Sequence, residues 1–143
     1  MNVQMAVLCD AVMVENEKLS LLGAFDTIIT PQPASGQRPI IHPQCAVALR
    51  VTFTAGDEGS HHLMLNLINA DGRNIMPHFP AIPFQVELPE EMHFVTRNFT
   101  ACIQQLQFPE AGLYSMDIRI DGTPAASIPL LVKHAPGRGP GAV

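Results

Sequence analysis

The sequence holds no tryptophan and a single tyrosine, Tyr114. Carbohydrate sites usually rest on aromatic platforms, so this shortage counts against sugar binding. Lys and Arg together number only eight, and the net charge is −5. Nucleic acids and anionic membranes select clustered cations, and here the cations are scattered, so neither is an expected partner. No run of about 20 apolar residues occurs, which leaves no candidate for a membrane-spanning helix. The opening residues Met1-Asn2-Val3-Gln4-Met5 show no basic region and no small-residue cleavage site after an apolar run. No secretory signal is therefore expected. Cysteines are few and odd in number: Cys9, Cys45 and Cys102, far apart inside apolar runs. They read as small core residues in a reducing compartment, and a cytoplasmic location follows.

Catalytic constellations are missing as well. There is no Gly-x-Ser-x-Gly and no phosphate-cradling loop. Cys9 beside Asp10 is the only suggestive nucleophile, and an apolar strand disfavours a thiolate. His61 and His62 are adjacent, so on a strand they point to opposite faces and cannot easily share an ion with His42, His78 or His93. Asp57, Glu58, Asp71 and Asp121 sit in turns as calcium ligands do in some sandwiches, but each turn offers only one or two acids. Glu87, Glu90 and Glu91 surround Pro89 and read as a solvated turn. No catalytic residue, cofactor or metal ligand is assigned, and the chain is not expected to be an enzyme.

What is present is strand signal. Val3 to Val14 and Leu19 to Thr30 read as two strands joined at the polar turn Glu15-Asn16-Glu17-Lys18. Pro31 to Gln44 is too rich in proline for a ladder or a helix and reads as a crossing between sheets. From Cys45 to Thr54, Cys45, Val47, Leu49, Val51 and Phe53 face one way, and Ala46, Ala48, Arg50 and Thr52 the other. His61 to Asn69 carries Leu63, Leu65 and Leu67 on one face. Ala70-Asp71-Gly72-Arg73 is a tight-turn signal, and Asp121-Gly122 is a second. Phe84 to Leu88, His93 to Leu106 and Leu113 to Ile120 are further strands, with Tyr114, Met116, Ile118 and Ile120 inward in the last. Ile128, Leu130 and Val132 supply the inner face of the final strand. No amphipathic helix is expected; Gln104-Gln105-Leu106 could form one turn.

About eight short strands with regular turns predict an all-β fold: a two-sheet antiparallel β-sandwich, immunoglobulin-like or C2-like, over residues 1–134. A closed barrel is the alternative, and 135–143 is a Pro/Gly-rich tail expected to be disordered. The run Phe108-Pro109-Glu110-Ala111-Gly112-Leu113-Tyr114 resembles the penultimate-strand region of immunoglobulin-like sandwiches. The resemblance implies that the tyrosine hydroxyl ties back to the corner backbone. Three features in order, Leu19 to Ile28, Asn69-Ala70-Asp71-Gly72 and Gly112-Leu113-Tyr114, resemble a family of small uncharacterised bacterial sandwich proteins of unknown function. That likeness implies a fold and a bacterial origin and no activity.

Hydrophobic residues make up 47% of the chain and mean hydropathy is +0.17. A buried oligomer or partner surface would account for this as well as a well-filled core would. Ile75, Met76, His78, Phe79, Ile82 and Phe84 lie in a proline-interrupted segment that cannot be a central strand. They are the expected partner surface if exposed, or a lid on the sandwich if not. The expected function is a non-catalytic protein-binding or assembly module, with a protein or a second copy as partner. The alternatives are a module for sugar or divalent metal, and a hydrolase.

Overall fold

The computed structural model describes residues 1–31, 39–76 and 79–136. Nine strands form along the chain: β1 (Asn2–Glu15), β2 (Lys18–Phe25), β3 (Thr27–Thr30), β4 (Ile40–Phe53), β5 (Gly59–Asn69), β6 (Ile82–Val86), β7 (Val95–Phe108), β8 (Gly112–Ile120) and β9 (Thr123–His134). One sheet has the order β2-β1-β4-β7 and the other β3-β9-β8-β5-β6. The architecture is the expected two-sheet sandwich. All pairings are antiparallel except β3 with β9, which run parallel.

Period-two alternation explains which faces meet. Leu63, Leu65 and Leu67 of β5, Met116, Ile118 and Ile120 of β8, and Leu130 and Val132 of β9 point at Val47, Leu49, Val51 and Phe53 of β4 and at Ile103 and Phe108 of β7. Phe53, Leu49 and Met116 are completely or almost completely buried. Burial of each such side chain stabilises the fold by roughly 2 kcal/mol as an upper estimate. The Gly-Leu-Tyr corner also forms. The Tyr114 hydroxyl donates to the Glu110 carbonyl at 2.5 Å, and the ring meets Phe108 edge-on with centroids 5.0 Å apart.

The segment read as one strand from Leu19 to Thr30 is broken at Asp26, and its two pieces lie in different sheets. Asp26 makes the crossing: its carbonyl accepts from Leu131 N–H at 2.8 Å. Within Pro31 to Gln44, residues 32–38 lie outside the described residues, but Ile40 to Gln44 belong to β4. Pro43 lies beyond the last pairing of β1 with β4, at Ala46, so no β1 neighbour needs its missing N–H; on the β7 side it stands opposite Gln105, whose φ is 55°. Gln104-Gln105-Leu106 is thus part of β7, not a helical turn. The expected tail falls largely on 137–143, outside the described residues.

The largest departure concerns Ala46 and Ala48, which alternation turned toward solvent. Both are buried, at 2% and 0% exposure. With Cys9 they form a second small apolar cluster on the outer side of the four-stranded sheet, covered by Val12, Leu19 and Leu21. The register shows how. β1 leaves β4 after Cys9, which lies opposite Ala46. β1 and β2 then continue as a two-stranded hairpin. Its tip returns to β7: the Asn98 amide donates to the Glu17 carbonyl at 2.9 Å. Asn98 pairs with Arg50, on the far side of β4 and back along the strand from Ala46. The hairpin therefore doubles back across the outer face of β4 and curls this sheet into a half-barrel. Gly23 permits the bend. Its φ is +67°, and a Cβ there would meet an Asp10 carboxylate oxygen at 2.3 Å.

Candidate functional site

The proline-interrupted segment packs inward. Met76 belongs to the core at 9% exposure, and Ile75, Phe79, Ile82 and Phe84 are half-buried against it. His78 lies outside the described residues. Asn74 pins the start: its Oδ1 accepts from Leu67 N–H (3.2 Å) and Met76 N–H (3.1 Å). Ile75 N–H donates to the Leu67 carbonyl at 2.8 Å. Ile82 pairs with Leu63 at the other end. The segment is a lid along the outer edge of β5, and Pro83 sits where β6 pairs on one side only.

His61 anchors one end of the molecule. Its Nδ1 lies 2.5 Å from an Asp121 carboxylate oxygen, and its Nε2 lies 2.6 Å from the Asp57 carbonyl. Both neighbours are acceptors, so the geometry suits the doubly protonated ring, in which both nitrogens donate. The Asp121 carboxylate, followed by the Asp57 carbonyl, raises the His61 pKa above its ordinary value. His61 in return lowers the pKa of Asp121, as does the His62 backbone N–H. The Met1 ammonium, 2.9 Å from Asp57, lowers that carboxyl, with help from the Thr54 N–H. Phe53 and Phe84 stack near the ring, with centroids 6.3 and 5.4 Å away, and meet each other at 5.7 Å, so the three rings form one cluster. Every polar position of His61 is engaged, so this is a clamp between β5 and the β8–β9 turn and not a free base.

Two of the three thiols are equally unsuited to nucleophilic work. Burial pushes Cys45 up to about 11, and burial with Asp10 nearby raises Cys9. Cys102 departs from the core reading: it is exposed on β7. A groove of about 410 Å³ between the start of β1 and the β8–β9 turn is lined by Asn2, Val3, Ile120, Thr123, Pro124 and Ala125 with Met1. None of these side chains is acidic, basic or thiol. Among the described residues no group of three or more His, Cys, Asp or Glu could hold a metal ion.

Edge strands remain. Three of the four are protected by ordinary means. β3 has only four residues, β6 carries Pro83, and β2 bends away with the hairpin. β7 is different. It is 14 residues long, pairs only with β4 among the described residues, and holds no charged residue from Asn98 to Phe108. Its first half approaches β6: Phe99 meets Phe84 at 4.8 Å, and Arg97 donates to the Gln85 carbonyl at 2.8 Å. From Thr100 to Gln104 no described strand pairs with its outer edge, and Thr100, Cys102 and Gln104 are exposed. Sequence reading missed this edge. The signal was the uncharged run, which has meaning only once strand order makes β7 an edge.

A family model described as a family of unknown function, DUF6941, matches residues 4–133. The chain belongs to this family. No curated protein matches the sequence. Among solved structures it is similar to an alkylpurine DNA glycosylase, AlkC, of Pseudomonas fluorescens, bound to DNA containing an abasic site analog. The identity is 8% and the TM-score 0.45, over 90% of this chain and 30% of that one. The chain spans about a third of that protein's length, and a likeness this distant says nothing of activity. No helix among the described residues is long and apolar enough to cross a membrane.

Proposed function

We propose that the chain is a non-catalytic binding or assembly module that accepts an added β-strand along the free edge of β7. The observation that carries this reading is the long, uncharged, one-sided β7. Unpaired N–H and C=O groups on such an edge are a template for a further strand, whose main-chain hydrogen bonds supply the affinity. The non-catalytic part is supported by His61, whose ring nitrogens are both committed, and by Cys9 and Cys45, whose burial raises their pKa values. A reducing compartment suits the chain. Cys9 and Cys102 flank Ala46 on neighbouring strands, about 10 Å apart by strand spacing, beyond disulfide reach.

The test is selection of extended peptides from a displayed random library against the full chain, followed by amide hydrogen exchange with and without the selected peptide. Added protection of Thr100 to Gln104 is the expected result. Protection confined to other elements, or no selectable peptide and no self-association, would remove the reading.

A further inference from the structure

Resting on that reading, we infer that the strand added to β7 is the β7 of a second copy, antiparallel, about a two-fold axis at Cys102. The free stretch of β7 is marked on one side by Phe99, whose ring packs against the core beside Phe84. On the other it is bounded by the backbone irregularity at Gln105, φ 55°. Between them lies Thr100 to Gln104, with Cys102 at its centre. An antiparallel partner that uses this whole stretch of both copies must place the axis there. Thr100 of one copy then faces Gln104 of the other, a polar pair on the exposed side. Ala101 faces Ile103, both 8% exposed, on the core side.

Charge favours self-pairing over pairing with a charged strand. From Asn98 to Phe108 two copies oppose no like charges. The charges that bracket the run, Arg97 and Glu110, have opposite sign. Antiparallel pairing brings each Arg97 toward the end of the other strand that leads to Glu110, whereas parallel pairing would align like with like. The interface is isologous and closes on itself, so it yields a dimer and no fibre.

Light scattering across a concentration series of the full chain tests this. A monomer–dimer equilibrium is expected. Thr100→Glu with Gln104→Glu places like charges opposite each other twice and weakens the dimer about tenfold. Thr100→Lys with Gln104→Glu makes both pairs complementary and restores wild-type association. Both positions are exposed, and an unchanged urea midpoint checks the fold of each variant. A short bismaleimide should link the wild-type dimer through Cys102, the one exposed thiol, and fail with Cys102→Ser. A strict monomer up to the solubility limit overturns the inference, as does a dimer indifferent to the charge pairs and not linked at Cys102. A monomer that still binds selected peptides along β7 overturns the second copy alone and leaves the binding reading standing.

Discussion

Replacement of Ala48 by leucine tests the folded-back hairpin. On a solvent-facing strand position such a change stays within about 0.5 kcal/mol of neutral. Ala48 is instead fully buried, beneath a hairpin that supplies Val12, Leu19 and Leu21. A larger side chain there must push the hairpin off β4 or take a strained rotamer, at a cost of about 1–3 kcal/mol. Leu21→Ala alone removes a half-buried side chain and costs about 1–2 kcal/mol, below the range for a fully buried leucine. In the double variant the new leucine fills the vacated space, so the two costs should fall short of their sum by about 1 kcal/mol. Urea unfolding gives the values from midpoints at constant slope. Thermal unfolding should follow at about 4 °C per kcal/mol for a domain of this size. A near-neutral Ala48→Leu, additive with Leu21→Ala, would refute the half-barrel and return Ala48 to solvent.

Tyr114→Phe keeps the ring against Phe108 but deletes the bond to the Glu110 carbonyl, for an expected loss of about 1 kcal/mol in urea. Gly23→Ala combines a positive φ with displacement of the Asp10 carboxylate and should cost about 1–2 kcal/mol; an unchanged midpoint would mean the bend does not need glycine. The His61 clamp has a pH signature. The folded-state pKa of His61 is raised, so its contribution is fully present below the ordinary histidine value of 6.5 and fades as pH rises through the folded value. The pKa of Asp121 is lowered, so its contribution is present above the ordinary 3.8 and fades as pH falls through the folded value. The stability gap between wild type and His61→Gln should therefore be larger at about pH 5.5 than at about pH 8.5, and an equal gap would contradict an imidazolium clamp.

Much of the fold was legible because alternation is a local signal. β4, β5, β8 and β9 each show their inward residues at every second position, Asp121-Gly122 marks the β8–β9 hairpin, and Asp71-Gly72 marks the turn that ends β5. The break at Asp26 was not legible. Leu19 to Thr30 has β-forming residues on both sides of Asp26, and what divides it is the tertiary competition of β9 for Thr27 to Thr30. The folded-back hairpin left traces that alternation alone cannot decode. Gly23 interrupts a strand, and Ala46 and Ala48 stand where a solvent face would carry longer polar side chains. Small residues on a nominal outer face are what a second covering layer requires.

The lid and the edge show why function was harder to read than fold. Ile75, Met76, Phe79, Ile82 and Phe84 could cover a partner or the chain's own core, and composition favours both equally. What bears on the choice is the reach of Asn74, whose one carboxamide bonds Leu67, Met76 and Asn66 at once and ties the start of the segment to β5. With those apolar side chains turned in, the search for a partner surface moves from side chains to backbone. The irregularity opposite Pro43 then sets the scale. The β4–β7 register runs on past Gln105, but the φ of 55° at Gln105 turns the strand's outer edge there and limits an added ladder to the stretch from Thr100 to Gln104 on this side. So short a ladder gives few main-chain hydrogen bonds, each worth about 1 kcal/mol net. It therefore suits a weak, reversible association better than a permanent one, and a second copy, which contributes the same short stretch, meets that limit from both sides.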